Sequence, residues 1–318
     1  MKQGSFTQQV KNEICSFDYE NENYLPLLAG FVKTNGIFSI SNSGLSLNLQ
    51  TENSKIAKLI YKAFSSVFGI TPSFSYSKKM KLDKGIVYHL SLSENVTEIL
   101  DKLEIMVDNE KTLPKTLLDN GGVRFFIAGT FLASGSVNSP SSNNYHLQMI
   151  VQEEDLAKMI IKQLNKFRNE RNMDFKYIFR KNKYVIYLKK ADQITTFLSL
   201  VNATESMLEF ENVRIEKDFI NSENRYQICF NANYEKSIAK ANEQLEDIKI
   251  LEDTHYTFKL SAKEKVVLEA RKANPDAPLS GLVDYIKEKH PDISVSKSGL
   301  ARIFTKIHDT AIFAKRRG

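Results

Sequence analysis

Hydrophobic and polar positions divide residues 24 to 200 into two series with the same order of elements. The first series predicts a helix near 25 to 35, strands near 36 to 41 and 45 to 51, a helix near 53 to 68, a hairpin from 72 to 92 and a helix near 94 to 106. After the turn-rich LPKTLLDNGG, the second predicts a helix near 122 to 134, a strand near 144 to 151, a helix near 153 to 169, a hairpin near 173 to 189 and a helix near 191 to 202. Both series describe one αββαββα unit used twice. The expected fold class is α+β, and two units that each leave an apolar face uncovered are expected to associate about a pseudo-two-fold axis.

The opening helices share a detail. LLAGFVKTNG (27–36) and FIAGTFLASG (126–135) hold Ala29-Gly30 and Ala128-Gly129 near their middles. Missing side chains there let two helix backbones approach closely, so these helices are expected to pack on each other. Residues 204 to 255 then read as one or two helices leading out of the repeat. From Leu260 the pattern becomes three short helices. Ser261 followed by Glu264 is a capping-box signature, and Asn274-Pro275 ends that first helix. Leu279, Leu282, Val283 and Ile286 give the second one apolar face as far as His290-Pro291. Ser296 is the expected N-cap of the third, with Leu300, Ile303, Phe304, Ile307 and Ala311 as its buried stripe. The expected organisation is an N-terminal segment over 1–23, a doubled unit over 24–203 with halves 24–110 and 120–203, a helical linker over 204–258 and an all-α module over 259–318.

Charge changes this picture more than composition does. Hydrophobic residues make up 42% and charged residues 26% of the 318, an ordinary globular balance. No apolar run approaches the roughly 20 residues that cross a bilayer. The N-terminal MKQGSFTQQVKNEIC has no apolar core of the secretory kind, which sets the expectation of a cytoplasmic, nucleoid-associated chain with no membrane partner. Cys15 and Cys229 are too few for a disulfide framework or a structural zinc site, and no metal or other cofactor is expected. The net charge is +6, and residues 259–318 hold 13 Lys/Arg against 7 Asp/Glu, so they carry the whole excess. A basic module attached to an electroneutral body fits phosphate-backbone binding by one domain; a basic tail made for solubility is the alternative.

On the third helix of that module, Ser298, Arg302, Thr305 and Lys306 project away from the apolar stripe. Three helices with a polar basic face on the last fit a helix-turn-helix, and a small protein-docking domain is the alternative. Ser296, Lys297 and Ser298 stand where a helix N-terminus favours phosphate. Arg302 is the candidate for a base-edge contact, since its fork can pair with guanine O6 and N7. Lys306, Lys315, Arg316 and Arg317 are assigned to phosphates. In the doubled unit, the hairpin tips carry Lys78, Lys79, Lys81 and Lys84 in one half and Arg180, Lys181 and Lys183 in the other. These could touch flanking phosphates or serve solubility and edge protection.

LAGFVKTNG and IAGTFLASG resemble the LAGLIDADG motif of homing endonucleases, whose fold is a doubled αββαββα unit. That resemblance implies one metal-holding acid per motif at the eighth position, and here those positions are Asn35 and Ser134. Neutral oxygens hold a hard cation far more weakly than carboxylates, so no catalytic residue is assigned and no nuclease activity is expected. No phosphate-cradling GxxxxGK[ST] or GxGxxG replaces them. Adding LEFENVR (208–214), AGTFLASGSVN, NANYEKSIAKANEQLEDI and SVSKSGLARI, nearly the whole chain resembles the WhiA family of bacterial transcription regulators linked to sporulation and cell division. The resemblance implies sequence-specific binding of double-stranded DNA at promoter sites, mainly by the C-terminal module. It also implies control of cell division and chromosome segregation, with protein partners in the transcription or division machinery as a further expectation. The alternative is a scaffold that binds a protein or small ligand through the doubled unit.

Overall fold

The structure, a computed structural model, describes residues 4–41, 44–78, 85–107, 110–119, 121–166 and 173–316. The chain forms two compact units, Met1–Lys217 and Asp218–Gly318.

In the first unit, helix α1 (Phe6–Ser16) precedes the repeat. The first half contains α2 (Asn21–Asn35), β1 (Ile37–Ser41), β2 (Gly44–Thr51), α3 (Ser54–Phe68), β3 (Ser73–Lys78), β4 (Ile86–Leu92) and α4 (Val96–Lys102), followed by a short hairpin of β5 (Met106–Val107) and β6 (Glu110–Lys111). The second contains α5 (Gly122–Ser134), β7 (Ser136–Val137), β8 (Leu147–Val151), α6 (Glu154–Lys166), β9 (Lys176–Arg180), β10 (Lys183–Leu188) and α7 (Ala191–Leu200). Each half builds a four-stranded antiparallel sheet, in the orders β1-β2-β4-β3 and β7-β8-β10-β9. The duplication read from the sequence is therefore real. The structure adds to the reading the helix α1, the β5–β6 hairpin and the two-residue strand β7, and α4 stops at Lys102 rather than near 106.

Helices α2 and α5 form the seam between the halves. A Cβ on Gly30 would lie 2.0 Å from the Phe126 carbonyl oxygen, and one on Gly129 would lie 2.0 Å from that of Leu27. Main chain thus meets main chain at two matching points, which is why glycine stands at both despite its helix cost of about 1 kcal/mol. Around the seam, Leu27, Leu28, Phe31, Phe126, Ile127 and Phe131 are buried with Leu47, Leu49, Leu90, Leu147, Met149 and Ile186 from the sheets. The expected N-terminal segment 1–23 contributes Phe6, Val10 and Ile14 to the same core.

Residues expected to form one or two linker helices are a single helix, α8 (Thr204–Asp253), and the division between units falls within it. A uniform linker over 204–258 is thereby corrected. Phe210 belongs to the first core, whereas Ile248 and Leu251 belong to the second with residues of α9 (Ala262–Ala273), α10 (Leu279–Lys289) and α11 (Lys297–Lys315). The C-terminal unit consequently begins well before residue 259. Its second core includes Leu282, Ile286, Leu300, Phe304 and Ile307, as the helical stripes required.

Candidate nucleic-acid interface

Each seam helix ends at a position where the nuclease resemblance puts an acid. Asn35 closes α2, and its Oδ1 accepts the Gln50 N–H of β2 at 3.1 Å. Ser134 closes α5, and its Oγ accepts the Ile150 N–H of β8 at 3.0 Å while donating to the Thr130 carbonyl at 3.4 Å. Both residues clip a seam helix to the second strand of its own half. Their oxygens are committed to the main chain.

Helix α1 lies against the same end of the seam. Thr7 Oγ1 donates to the Val137 carbonyl at 2.8 Å and accepts its N–H at 2.9 Å. Lys11 Nζ donates to the Leu132 carbonyl at 3.1 Å, and Asn12 Oδ1 accepts from Asn53 Nδ2 at 2.8 Å. Glu13 accepts the N–H groups of Glu205 and Ser206 at 2.6 and 2.9 Å, capping the start of α8. Lys11 and Asn35 line one groove of about 740 Å³. Burial lowers the Lys11 ammonium to about 8. Lys33, at the sixth motif position, is buried and pairs with Glu153 of the other half at 3.0 Å. Sequence pattern had assigned no part in this site to Lys11 or Glu153.

The open faces of the sheets follow from strand register. Leu47, Leu49, Leu90 and Leu92 point into the core, so Asn48, Ser75, Ser77, His89 and Ser91 lie on the opposite face. These polar groups bond to one another, Ser91 Oγ to Asn48 Oδ1 at 2.6 Å and Ser77 Oγ to His89 Nε2 at 2.8 Å. In the second half Ile150, Val185 and Ile178 are register partners across three strands, giving an apolar row. His146, immediately before β8, bonds Gln148 at 3.1 Å and stacks on Tyr187. Among the described residues, the row of β2, β3 and β4 open-face positions carries no lysine or arginine. Of the tip cations, Lys78, Arg180, Lys181 and Lys183 are exposed, with Lys181 and Asn182 both left-handed in a tight turn. Lys79, Lys81 and Lys84 lie outside the described residues.

In the C-terminal unit, Ser296 Oγ accepts the Gly299 N–H at 3.1 Å, and the capping box of Ser261 with Glu264 is complete. Leu300, Phe304 and Ile307 anchor α11 in the core. Ser298, Arg302 and Thr305 are exposed on its outward arc. Lys306 is on the side of that arc nearest α9, where its Nζ meets Glu264 Oε1 at 2.7 Å, so it is engaged by a carboxylate and does not stand free. Burial opposes ionisation of Glu264, but the Lys306 ammonium and the Ser261 N–H outweigh it and hold the carboxyl below its usual range. On the other flank His308 Nδ1 meets Asp247 of α8 at 2.9 Å. Arg271, buried and unremarked in the sequence, bonds Gln244 and the carbonyls of Asn274, Pro275 and Ala277, and lies over Phe304. Together these contacts fix α11 between α8 and the turn after α9. Lys315 and Arg316 are exposed at its end, and Arg317 lies outside the described residues.

This arrangement has counterparts. The description "WhiA N-terminal LAGLIDADG-like domain" matches residues 22–106, "WhiA LAGLIDADG-like domain" residues 123–220, and "WhiA C-terminal HTH domain" residues 224–311. The chain is 35% identical over 312 residues to a probable cell division protein WhiA of Lactobacillus acidophilus, covering 96% of this chain and 98% of that one. It is 35% identical over 310 residues to the protein of the same name in Enterococcus faecalis, covering 96% and 97%. The crystal structure of full-length DUF199/WhiA from Thermatoga maritima superposes with a TM-score of 0.59 at 18% identity over 99% of both chains, a likeness of fold. With three domain descriptions matched in order and relatives alike over nearly their whole length, the chain belongs to the WhiA family.

Proposed function

We propose that the chain is a sequence-specific double-stranded DNA-binding regulator of transcription, acting on genes of cell division and chromosome segregation, and without nuclease activity. The observation that carries this reading is the outward arc of α11: Ser298, Arg302 and Thr305 exposed on a helix capped by Ser296 and anchored by Leu300, Phe304 and Ile307. Arg302 is the base reader, while Lys297, Lys315 and Arg316 meet phosphates. The cell-division name of the relatives supports the biological setting. Absence of nuclease activity is supported by Asn35 and Ser134, whose neutral oxygens already serve backbone N–H groups.

Chromatin immunoprecipitation tests the reading. Site occupancy by the wild-type chain is expected to collapse in Arg302→Ala, and unchanged occupancy would remove Arg302 as the reader. A second reading, in which the doubled unit docks a protein of the transcription or division machinery, is favoured by the apolar Ile178, Val185 and Ile150 row on the second sheet. Both readings can hold together, because they use different units.

A further inference from the structure

Within the C-terminal unit, one face of α8 stands opposite the first turns of α11. Asn233, Lys236, Ser237, Lys240 and Gln244 follow the i, i+3, i+4, i+7, i+11 spacing of a single helix face. They line one side of a groove of about 520 Å³, and Lys297 and Thr305 of α11 line the other. The buried ring of Phe304 forms part of its floor. This face belongs to NANYEKSIAKANEQLEDI, a stretch that helped carry the family resemblance and that linker duty does not explain.

Charge gives the groove a ligand class. Lys236 and Lys297 have no ion pair among the described residues, and each adds a cation from a different helix. Lys240 pairs with Glu243 at 2.5 Å, but both side chains are largely exposed, and such a pair holds a lysine only weakly. Asp247, the other acid of the groove, is taken by His308. Asn233 and Ser237 add neutral donors between the lysines. A helix that reads bases in the major groove runs between two phosphate backbones, so a donor-rich wall beside its N-terminal turns is placed to meet one of them.

We propose that the α8 face of Asn233, Lys236, Ser237 and Lys240 is a second DNA-contacting element, seating the phosphates of one strand between itself and Lys297 of α11. This rests on the reading that α11 enters DNA. The family's C-terminal HTH domain description, which matches from residue 224, encompasses this stretch of α8.

The test measures affinity of the full chain for a random-sequence duplex across a salt series. Each phosphate contact contributes about 0.9 to the slope of log K against log salt, so Lys236→Ala/Lys240→Ala is expected to lower the magnitude of the slope by about 1.8. Lys236→Arg/Lys240→Arg should restore it, and Lys249→Ala, on the opposite face of α8, should leave it unchanged. Melting followed by circular dichroism checks that the variants fold alike. A wild-type slope retained in the double alanine variant overturns the assignment of α8 alone. Failure of the wild-type chain to bind the duplex at all overturns the proposed function, and this inference with it.

Discussion

Replacing Gly30 with alanine is the sharpest probe of the doubled frame. An isolated helix would gain about 1 kcal/mol from this change. In the folded chain the new methyl would lie 2.0 Å from the Phe126 carbonyl oxygen and 3.1 Å from the Thr130 nitrogen. Both are main-chain atoms of α5, so no rotamer change can make room. The seam must open by roughly 1 Å, a gap that forfeits about a quarter to a half of the contact energy of the side chains beside it. Leu27, Phe31 and Phe126 flank the contact, each worth about 1.5–3 kcal/mol when fully buried. Lost contact and overpacking strain together exceed the helix-propensity gain, and the net loss is about 2–4 kcal/mol. For a unit of this size each kcal/mol shifts Tm by about 2–4 °C, so the melting transition should fall by roughly 10 °C. Thermal unfolding followed by circular dichroism reads it. A variant that melts at or above wild type would refute the main-chain approach of α2 and α5.

Two further outcomes bear on the buried end of the seam. The Lys11 ammonium is held at about 8 by burial against an ordinary value of 10.5, so its cost is fully present below pH 8 and is relieved as pH rises from there towards 10.5. Burial pushes the Cys15 thiol the other way, up to about 12 from 9.0, so the fold loses stability as pH climbs above 9. Stability should therefore rise between about pH 8 and 9 before the thiol opposes it, and Lys11→Met should erase that rise; Tm measured across this range would count against the burial of Lys11 if the variant kept it. Separately, Asn35→Asp/Ser134→Asp should fold, since a carboxylate can accept the same Gln50 and Ile150 N–H groups, yet should not nick supercoiled plasmid in magnesium, because the Lys11 ammonium lines the same groove as residue 35 and opposes a divalent cation there. Cutting by the double variant would mean that only the acids separate this site from a working nuclease.

The sequence disclosed what depends on local rules. Ala-Gly within both seam helices, the Ser261 to Glu264 capping box and the Leu300, Phe304, Ile307 stripe are short-range patterns, and each appears where expected. Partners chosen across the fold were not legible. Lys306 looks like a free cation when α11 is projected alone; its carboxylate comes from α9. Lys33 and Glu153 belong to different halves and meet only after the halves associate. Helix α8 lacked one continuous apolar face because the two cores each take a different part of it, Phe210 on one hand and Ile248 with Leu251 on the other. Helix α1 was not anticipated within the N-terminal segment 1–23, and its place against the seam depends on Thr7, Lys11 and Asn12 finding partners far along the chain.

Neutral residues at the two seam-helix ends have a physical consequence for the frame. Two carboxylates brought close at paired helix ends repel each other unless cations bridge them, which charges the seam with a dependence on metal. Asn35 and Ser134 keep the acceptor oxygen that each helix end uses to hold its strand, and drop the repulsion. The cross-links between parts of the unit are supplied instead by the chain's own ammonium groups, Lys33 to Glu153 between the halves and Lys11 from α1 to the Leu132 carbonyl. With the Lys33 ammonium buried but Glu153 more than a third exposed, this pair adds little net stability, because desolvation of the lysine and solvent screening of the carboxylate offset most of its attraction. Stability then rests on the glycine-to-main-chain approach and the apolar core, neither of which needs a metal or a substrate. The open faces of the two sheets differ in charge: among the described residues that of β2, β3 and β4 carries no lysine or arginine, whereas register puts Lys176, Arg180 and Lys183 beside Ile178 and Val185 on the second, so any cationic surface of these strand faces is confined to one half of the body.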